Sequence, residues 1–323
     1  MSTTKPWSSI LVAVRDPGAR KQIAVRKAAR IAAATGAELT LFHAFSTPFA
    51  LPTPMPADAD AILRDLGRDP VRADQLWGVW AAESATAVLT ATQDIAGAWT
   101  VSGTKPWCSG ATGCTHALLT ARIGDGRAMF VVELAQDSIA AAHGDWHNPG
   151  MSATQTHAVE FSDTPVEFVA DADAYLHRPG FWHGAVGVAA CWYGGAVLVA
   201  DRMYRHRKSD DLSLVHLGAV DTALWNGGAA LTAAADAFDA APEDLEGAHA
   251  IALRVRAIVE QVATEVIDRV GRCLGPGPLV ADEAHAQAVA DLTVYLRQSH
   301  AEHDLRALGA LVRTRDEGGV GAP

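Results

Sequence analysis

The spacing of apolar and polar residues changes character twice along the chain and divides it into three stretches. In the first, Ile10 to Val14 is a short apolar run closed by the turn signal Asp16-Pro17-Gly18. Residues 20–35 then place Ile23, Ala24, Lys27, Ala28 and Ile31 at helical spacing, and Gly36 supplies a stop. Residues 38–44 read as a second strand. Strand, helix and strand together predict a right-handed βαβ unit with parallel strands. Pro48, Pro52, Pro54 and Pro56, set among small residues, make a linker.

The second stretch, about 58–171, is strand-rich. Runs at 86–93 and 98–105 flank a turn through Gly97, and runs at 117–123 and 127–134 flank the hairpin signal Gly124-Asp125-Gly126. Residues 157–162 add a further strand, and this regular spacing predicts an antiparallel sandwich or barrel. The third stretch predicts helices over 183–207, 213–239, 243–273 and 282–312, with Pro242-Glu243-Asp244 as a helix start and Gly275-Pro276-Gly277-Pro278 as a break. Four long helices joined by short breaks make an up-down bundle. The fold class is therefore multidomain α+β: a βαβ fragment and Pro-rich linker over 1–56, an antiparallel β-domain over 57–172, and a C-terminal four-helix bundle over 173–323.

A length of 323 residues suits two or three domains, and 49% hydrophobic with 20% charged residues excludes a disordered chain. The formal charge of −11 comes without any Lys/Arg block, which argues against nucleic acid as the main partner. Cys108, Cys114, Cys191 and Cys273 form no CxxC pair, so a reducing, cytoplasmic setting is expected. The apolar run at 10–14 is too short for a signal peptide. From Phe181 to Ala200 nearly every residue is apolar or small, and Arg202, Arg205, Arg207 and Lys208 follow, which matches a membrane span in length and flank. His183, several glycines and the lack of a second span favour a helix buried among other helices instead. No membrane span is expected.

Two resemblances sharpen this picture. The segment "ILVAVRDPGARKQIAVRKAARIAAATGAELTLFHAF" resembles the first strand, helix and second strand of the universal stress protein family over about 50 residues. Arg15 stands where that family is usually acidic, and no later glycine-rich loop supplies its nucleotide site. Further on, "GTKPWCSGA" (103–111) resembles the flavin-contacting motif of the acyl-CoA dehydrogenase superfamily. "WGVWAAES" (77–84), "ALLTAR" (117–122), "PGFWHGAVGVAA" (179–190) and "GPGPL" (275–279) keep that family's order over roughly 70–312. The family's N-terminal helical domain is missing, so the chain reads as a fusion of a stress-protein-like fragment with a truncated dehydrogenase body.

The second resemblance implies FAD as cofactor and α,β-dehydrogenation of an acyl-CoA, with hydride passing to the flavin and a separate electron acceptor reoxidising it. Trp107 would wall the isoalloxazine ring and Ser109 would stand near its edge, with Cys108 replacing a branched residue. Arg202, Arg205 and Arg207 would reach cofactor phosphate across a subunit interface, in a homodimer or homotetramer. The family's Tyr-Glu-Gly base falls at Tyr295-Leu296-Arg297, where Leu296 cannot take a proton. Asp291, Glu302 and Asp304 are the nearest carboxylates, and Glu302 is the candidate displaced base. Two other readings are a flavin monooxygenase of the same superfamily and a non-catalytic stress-response or interaction protein. His300, His303 and Asp304 share helical faces, but no HExxH occurs, so no metal site is assigned. No Walker loop, GxGxxG or GxSxG occurs either.

Overall fold

A computed structural model describes residues 9–13, 38–42, 57–72, 74–142, 146–206 and 210–315. The chain divides into two compact units, one of residues Pro48–Asn148 and Ser152–Phe181, the other of Met1–Thr47, Pro149–Met151 and Trp182–Pro323. Strands β1 (Ser9–Ala13) and β2 (Glu38–Phe42) pair in parallel, as the βαβ pattern requires. The helix expected over 20–35 lies outside the described residues.

The β-rich unit holds helix α1 (Ala57–Asp65), strands β3 (Trp77–Trp80), β4 (Leu89–Gln93), β5 (Trp99–Cys108), β6 (His116–Ile123), β7 (Gly126–Glu133), β8 (Ile139–Ala142) and β9 (His157–Asp171), and a short α2 (Ala172–Leu176). Pairing runs from β6 through β4, β5, β9 and β7 back to β6, which closes a ring of strands through the single β4–β6 pair Thr90–Arg122, while β3 flanks β6 and β8 flanks β9. The hairpin signal is obeyed: Gly124 and Asp125 alone join β6 to β7, and Gly124 has the positive φ of 54° such a loop needs. Ala117, Leu119 and Ala121 of β6 face the barrel core with Val101, Phe130 and Val159. Leu118 faces the other way, into a second cluster roofed by Ile62 and Leu63 of α1. Burial on both faces is why β6 reads as a continuous apolar run.

Two expectations change here. The sheet is mixed, because residues 77–80, for which no strand is expected above, enter it as β3 and run parallel to β6, with Trp77 and Trp80 buried. Strand β9 does not stop at 162 but continues to Asp171 despite Pro165. A bulge absorbs the disruption: Ser162 and Asp163 oppose Ser102 alone, Asp163 takes φ of 49°, and its backbone N–H is accepted by Ser102 Oγ at 2.9 Å.

The helical unit contains α3 (Pro179–Tyr204), α4 (Asp211–Ala240), α5 (Leu245–Leu274), α6 (Gly277–Ala281), α7 (Glu283–Tyr295) and α8 (Glu302–Arg315). Trp192 and Val199 of α3, Val220 of α4, Val259 of α5 and Leu292 of α7 belong to one core. Helix α3 is long and apolar enough to cross a membrane, and its buried face packs into that core. The caps are local: Asp210, Asp244 and Asp282 accept N–H bonds from Ser213, Gly247 and His285 at the starts of α4, α5 and α7.

The single helix expected over 282–312 is broken, a correction with a clear cause. Arg256, buried on α5, stacks its guanidinium over Trp192 at 4.6 Å and donates to the carbonyls of Ala185 (3.3 Å) and Gln298 (3.1 Å). The Gln298 carbonyl is thereby satisfied from outside the helix. Ser299 turns extended and donates to Glu260 at 2.7 Å, and its Oγ accepts the Ala301 N–H at 3.1 Å. Asp291 is equally committed to structure. It is buried, accepts the Met151 N–H at 2.6 Å and the Gln287 amide at 2.7 Å, and burial pushes its carboxyl above the usual range. Gly150 sits so close to α7 that any Cβ there would collide with the Ala290 carbonyl.

Candidate functional site

The end of β5 is where the sequence concentrated its expectations, and its backbone is unusual. Between Lys105 and Cys108 the strand carries one residue more than β9, so Pro106 and Trp107 together oppose Ala158. Proline lacks the N–H that a regular ladder would need, and a bulge is where a sheet tolerates it. Trp107 takes the left-handed φ of 55°, uncommon for any side chain and more so for a bulky one. Its indole is 57% exposed. A strained, exposed aromatic gains little by packing, and such strain persists where surrounding bonds over-determine it.

Those bonds can be named. Trp80 donates its indole N–H to the Ser109 carbonyl at 3.1 Å, and the Cys108 thiol donates to the Lys105 carbonyl at 3.2 Å. Cys108 is completely buried in the barrel core, and burial pushes its thiol up to about 12, so it neither ionises nor shares the exposed face of Trp107. Gly103 supplies the approach: its φ of 120° brings β5 so close to Val88 that a Cβ would strike that carbonyl, and the next N–H, of Thr104, bonds to it at 3.1 Å.

Beneath the bulge lies a group that the sequence reading passed over. Lys105 is only 1% exposed, and its ammonium donates to the Thr120 carbonyl (2.7 Å), the Thr120 hydroxyl (2.8 Å) and Glu83 (3.0 Å). Thr120 Oγ1 donates to the same Glu83 oxygen at 2.6 Å. Burial lowers the lysine's pKa against the pull of Glu83. Burial also opposes ionisation of Glu83, but hydrogen bonds from Thr120 and Lys105 outweigh it and hold the carboxyl below its usual range. The hydrogen-bonded pair ties residues 81–84 to β5 and β6. Both residues stood inside quoted motifs, but nothing in the sequence marked them as partners.

Ser109 is exposed, and its hydroxyl lies 2.9 Å from that of Thr156, which lies 2.7 Å from that of Thr154. Trp107 and Ser109 are thus both exposed, two positions apart where β5 ends. A flat apolar ring with polar edges asks for this donor set, so the residues present fit a flavin.

The remaining candidates lie in the helical unit. Arg205, at the end of α3, is exposed and paired with Asp201 at 3.0 Å, and Arg202 is paired with Asp282 at 3.1 Å. Arg207 lies outside the described residues. Glu302 opens α8 and lines a cavity of about 570 Å³ with Glu260, Glu265, Asp268, Arg269 and Asp304. Asp304 faces Arg256 at 3.7 Å and His300 at 3.4 Å. Leu296 is 2% exposed and belongs to the helical core. Among the described residues no group of three or more His, Cys, Asp or Glu is placed to hold a metal ion.

No protein-family description matches the sequence, and no curated protein does. Solved structures do resemble it. KijD3, in complex with FMN and dTDP-3-amino-2,3,6-trideoxy-4-keto-3-methyl-D-glucose, is 21% identical over 80% of this chain and 70% of that one, with a TM-score of 0.61. FMN-bound TdsC of Paenibacillus sp. A11-2, a dibenzothiophene monooxygenase, is 18% identical over 73% and 70%, with a TM-score of 0.58. An acyl-CoA dehydrogenase from Geobacillus kaustophilus is 13% identical over 76% and 70%, with a TM-score of 0.63. These likenesses show an acyl-CoA dehydrogenase-like fold. None of the three is a universal stress protein, so the stress-protein resemblance and the fusion drawn from it find no support in them.

Proposed function

We propose that this protein is a flavin-dependent oxidoreductase. The observation that carries the reading is Trp107, an exposed residue kept in left-handed backbone two positions before the exposed Ser109. FAD is the form implied by the sequence resemblance, whereas KijD3 and TdsC are bound to FMN. The flavin would supply a hydride acceptor, and Trp107 would cover its ring while Ser109 addresses its edge. Arg205 and Arg207 would serve its phosphates in a homodimer or homotetramer. Exposed apolar residues on α4, among them Leu212, Val215 and Trp225 (73% exposed), support self-association.

On the dehydrogenase reading the substrate would be an acyl-CoA, Glu302 would take its α-proton, and a bound flavin would supply the hydride acceptor. A second reading, a monooxygenase, is favoured by Leu296. That buried apolar side chain stands at the position expected of the base. A monooxygenase needs no carboxylate there, because reduced flavin and oxygen carry the chemistry.

Purified protein is expected to carry the visible absorption of bound flavin or to gain it on reconstitution with FAD or FMN. Bleaching by an acyl-CoA, lost in Glu302→Gln, marks the dehydrogenase; reductant-dependent oxygen consumption with an aromatic or sugar substrate marks the monooxygenase. Trp107→Gly gives a sharper test. Glycine accepts φ of 55° without the ~1–2 kcal/mol that a left-handed L-residue costs, so stability should hold or rise while flavin retention falls at least about tenfold. Unchanged flavin retention would remove Trp107 from the site.

A further inference from the structure

We propose that Thr156, with Thr154 behind it, sets the direction in which the Ser109 hydroxyl points its proton. The chain of three hydroxyls would then be a reversible donor or acceptor for whatever edge meets Ser109. This deepens the flavin reading and rests on it. Ser109 follows directly on β5, whereas Thr154 and Thr156 belong to the segment leading into β9. Two bonds besides the hydroxyl contacts fasten these segments: the Gly110 N–H donates to the Thr154 carbonyl at 3.0 Å, and Thr112 Oγ1 donates to Gln155 Oε1 at 2.7 Å. Thr156 is the buried member, while Ser109 reaches the surface.

A hydroxyl owns one proton and two lone pairs. Thr156 Oγ1 lies between two other hydroxyl oxygens, at 2.9 Å and 2.7 Å, and with a single proton it can donate to only one of them at a time. If it donates to Ser109, the Ser109 proton is directed outward and the serine is a donor to its ligand. If it donates to Thr154, Ser109 donates inward and offers a lone pair instead. Passing from one state to the other needs only rotation about C–O bonds, with no heavy atom displaced and no net charge created. Oxidised flavin presents a ring nitrogen that accepts at the edge receiving hydride, and the reduced ring presents an N–H there. One fixed donor would suit only one of these states. A chain that reverses suits both, and each bond in it strengthens its neighbour.

The test is a double-mutant cycle on the full chain, read as flavin dissociation constants by fluorescence quenching for the oxidised and the reduced ring. Thr156→Val keeps the shape and removes the hydroxyl. It is expected to weaken binding of oxidised flavin roughly three- to tenfold with melting unchanged, and Thr156→Ser is expected to restore binding to within about twofold. Because Thr156 acts through Ser109, adding Thr156→Val to Ser109→Ala should cost little beyond Ser109→Ala alone. Full additivity, or a Thr156→Val variant that binds both forms like the parent while Ser109→Ala does not, overturns the proposal and leaves the flavin reading standing. If neither Trp107→Gly nor Ser109→Ala alters binding, or no flavin binds at all, both fall together.

Discussion

Replacing Arg256 with alanine is expected to destabilise the helical unit by about 3–5 kcal/mol, the range for breaking a buried charge pair, with the emptied volume adding to it. The guanidinium is buried over Trp192 and serves three partners at once: Asp304 and the carbonyls of Ala185 and Gln298. Its removal strands two carbonyls away from their donor and takes the arginine partner from Asp304. Lysine is a poor substitute. A single ammonium cannot spread over an indole while reaching three acceptors held in different directions, so Arg256→Lys should recover only part of the loss. Urea unfolding with hydrogen exchange checks this, because protection should fall first around residues 296–304, where the helix break depends on that side chain. Protection lost evenly over all helices would mean that Arg256 acts only as bulk in the core.

The second large effect is expected at Glu83. Glu83→Ala leaves the Lys105 ammonium buried with only Thr120 as partner, at a cost of about 3 kcal/mol and a melting shift on the order of 10 °C. The estimate sits at the lower end because Glu83 itself is partly exposed. Pairing Glu83→Gln with Lys105→Met should recover much of the loss, since the buried charge disappears with its partner. The pH dependence has a definite sign. The folded carboxyl of Glu83 titrates below its ordinary value, so its contribution is complete above the usual glutamate range and is lost as pH falls through the depressed value. Burial lowers Lys105 as well; its stabilising contribution is complete above the usual lysine range and declines as pH falls through the folded value. Glu83→Gln should therefore flatten the acid limb of the stability profile. An acid limb identical to the parent's would show that the pair does not govern it.

Much of the fold was legible because its signals are local. The Gly124-Asp125 turn, the aspartate caps of α4, α5 and α7, and the apolar rows of the long helices each depend on residues within a few positions of one another. Where the reading failed, the deciding partner was remote. Ser162 to Pro165 looked like the end of a strand until Ser102 was found opposite Asp163 across a bulge. Residues 282–312 looked like one helix because Arg256, which takes the Gln298 carbonyl, lies 42 residues earlier. The candidate site divides in the same way. Trp107 and Ser109 were legible from a contiguous motif, while Lys105 and Thr156 were not, because their partners Glu83 and Ser109 lie 22 and 47 residues away.

Much of the local order, then, was determined by the sequence alone: three long helices, the Gly124-Asp125 turn with the strands it joins, and that an indole and a hydroxyl follow a glycine-lysine pair. Chain geometry over a few residues decides such features, and the side chains involved are neighbours whatever the rest of the molecule does. Only the tertiary structure decided that the indole is held in left-handed backbone, that a lysine is sealed beneath it, and that two hydroxyls line up behind the serine. These depend on distances between strands, which are set when the barrel closes and burial forces every polar group it covers to find a partner.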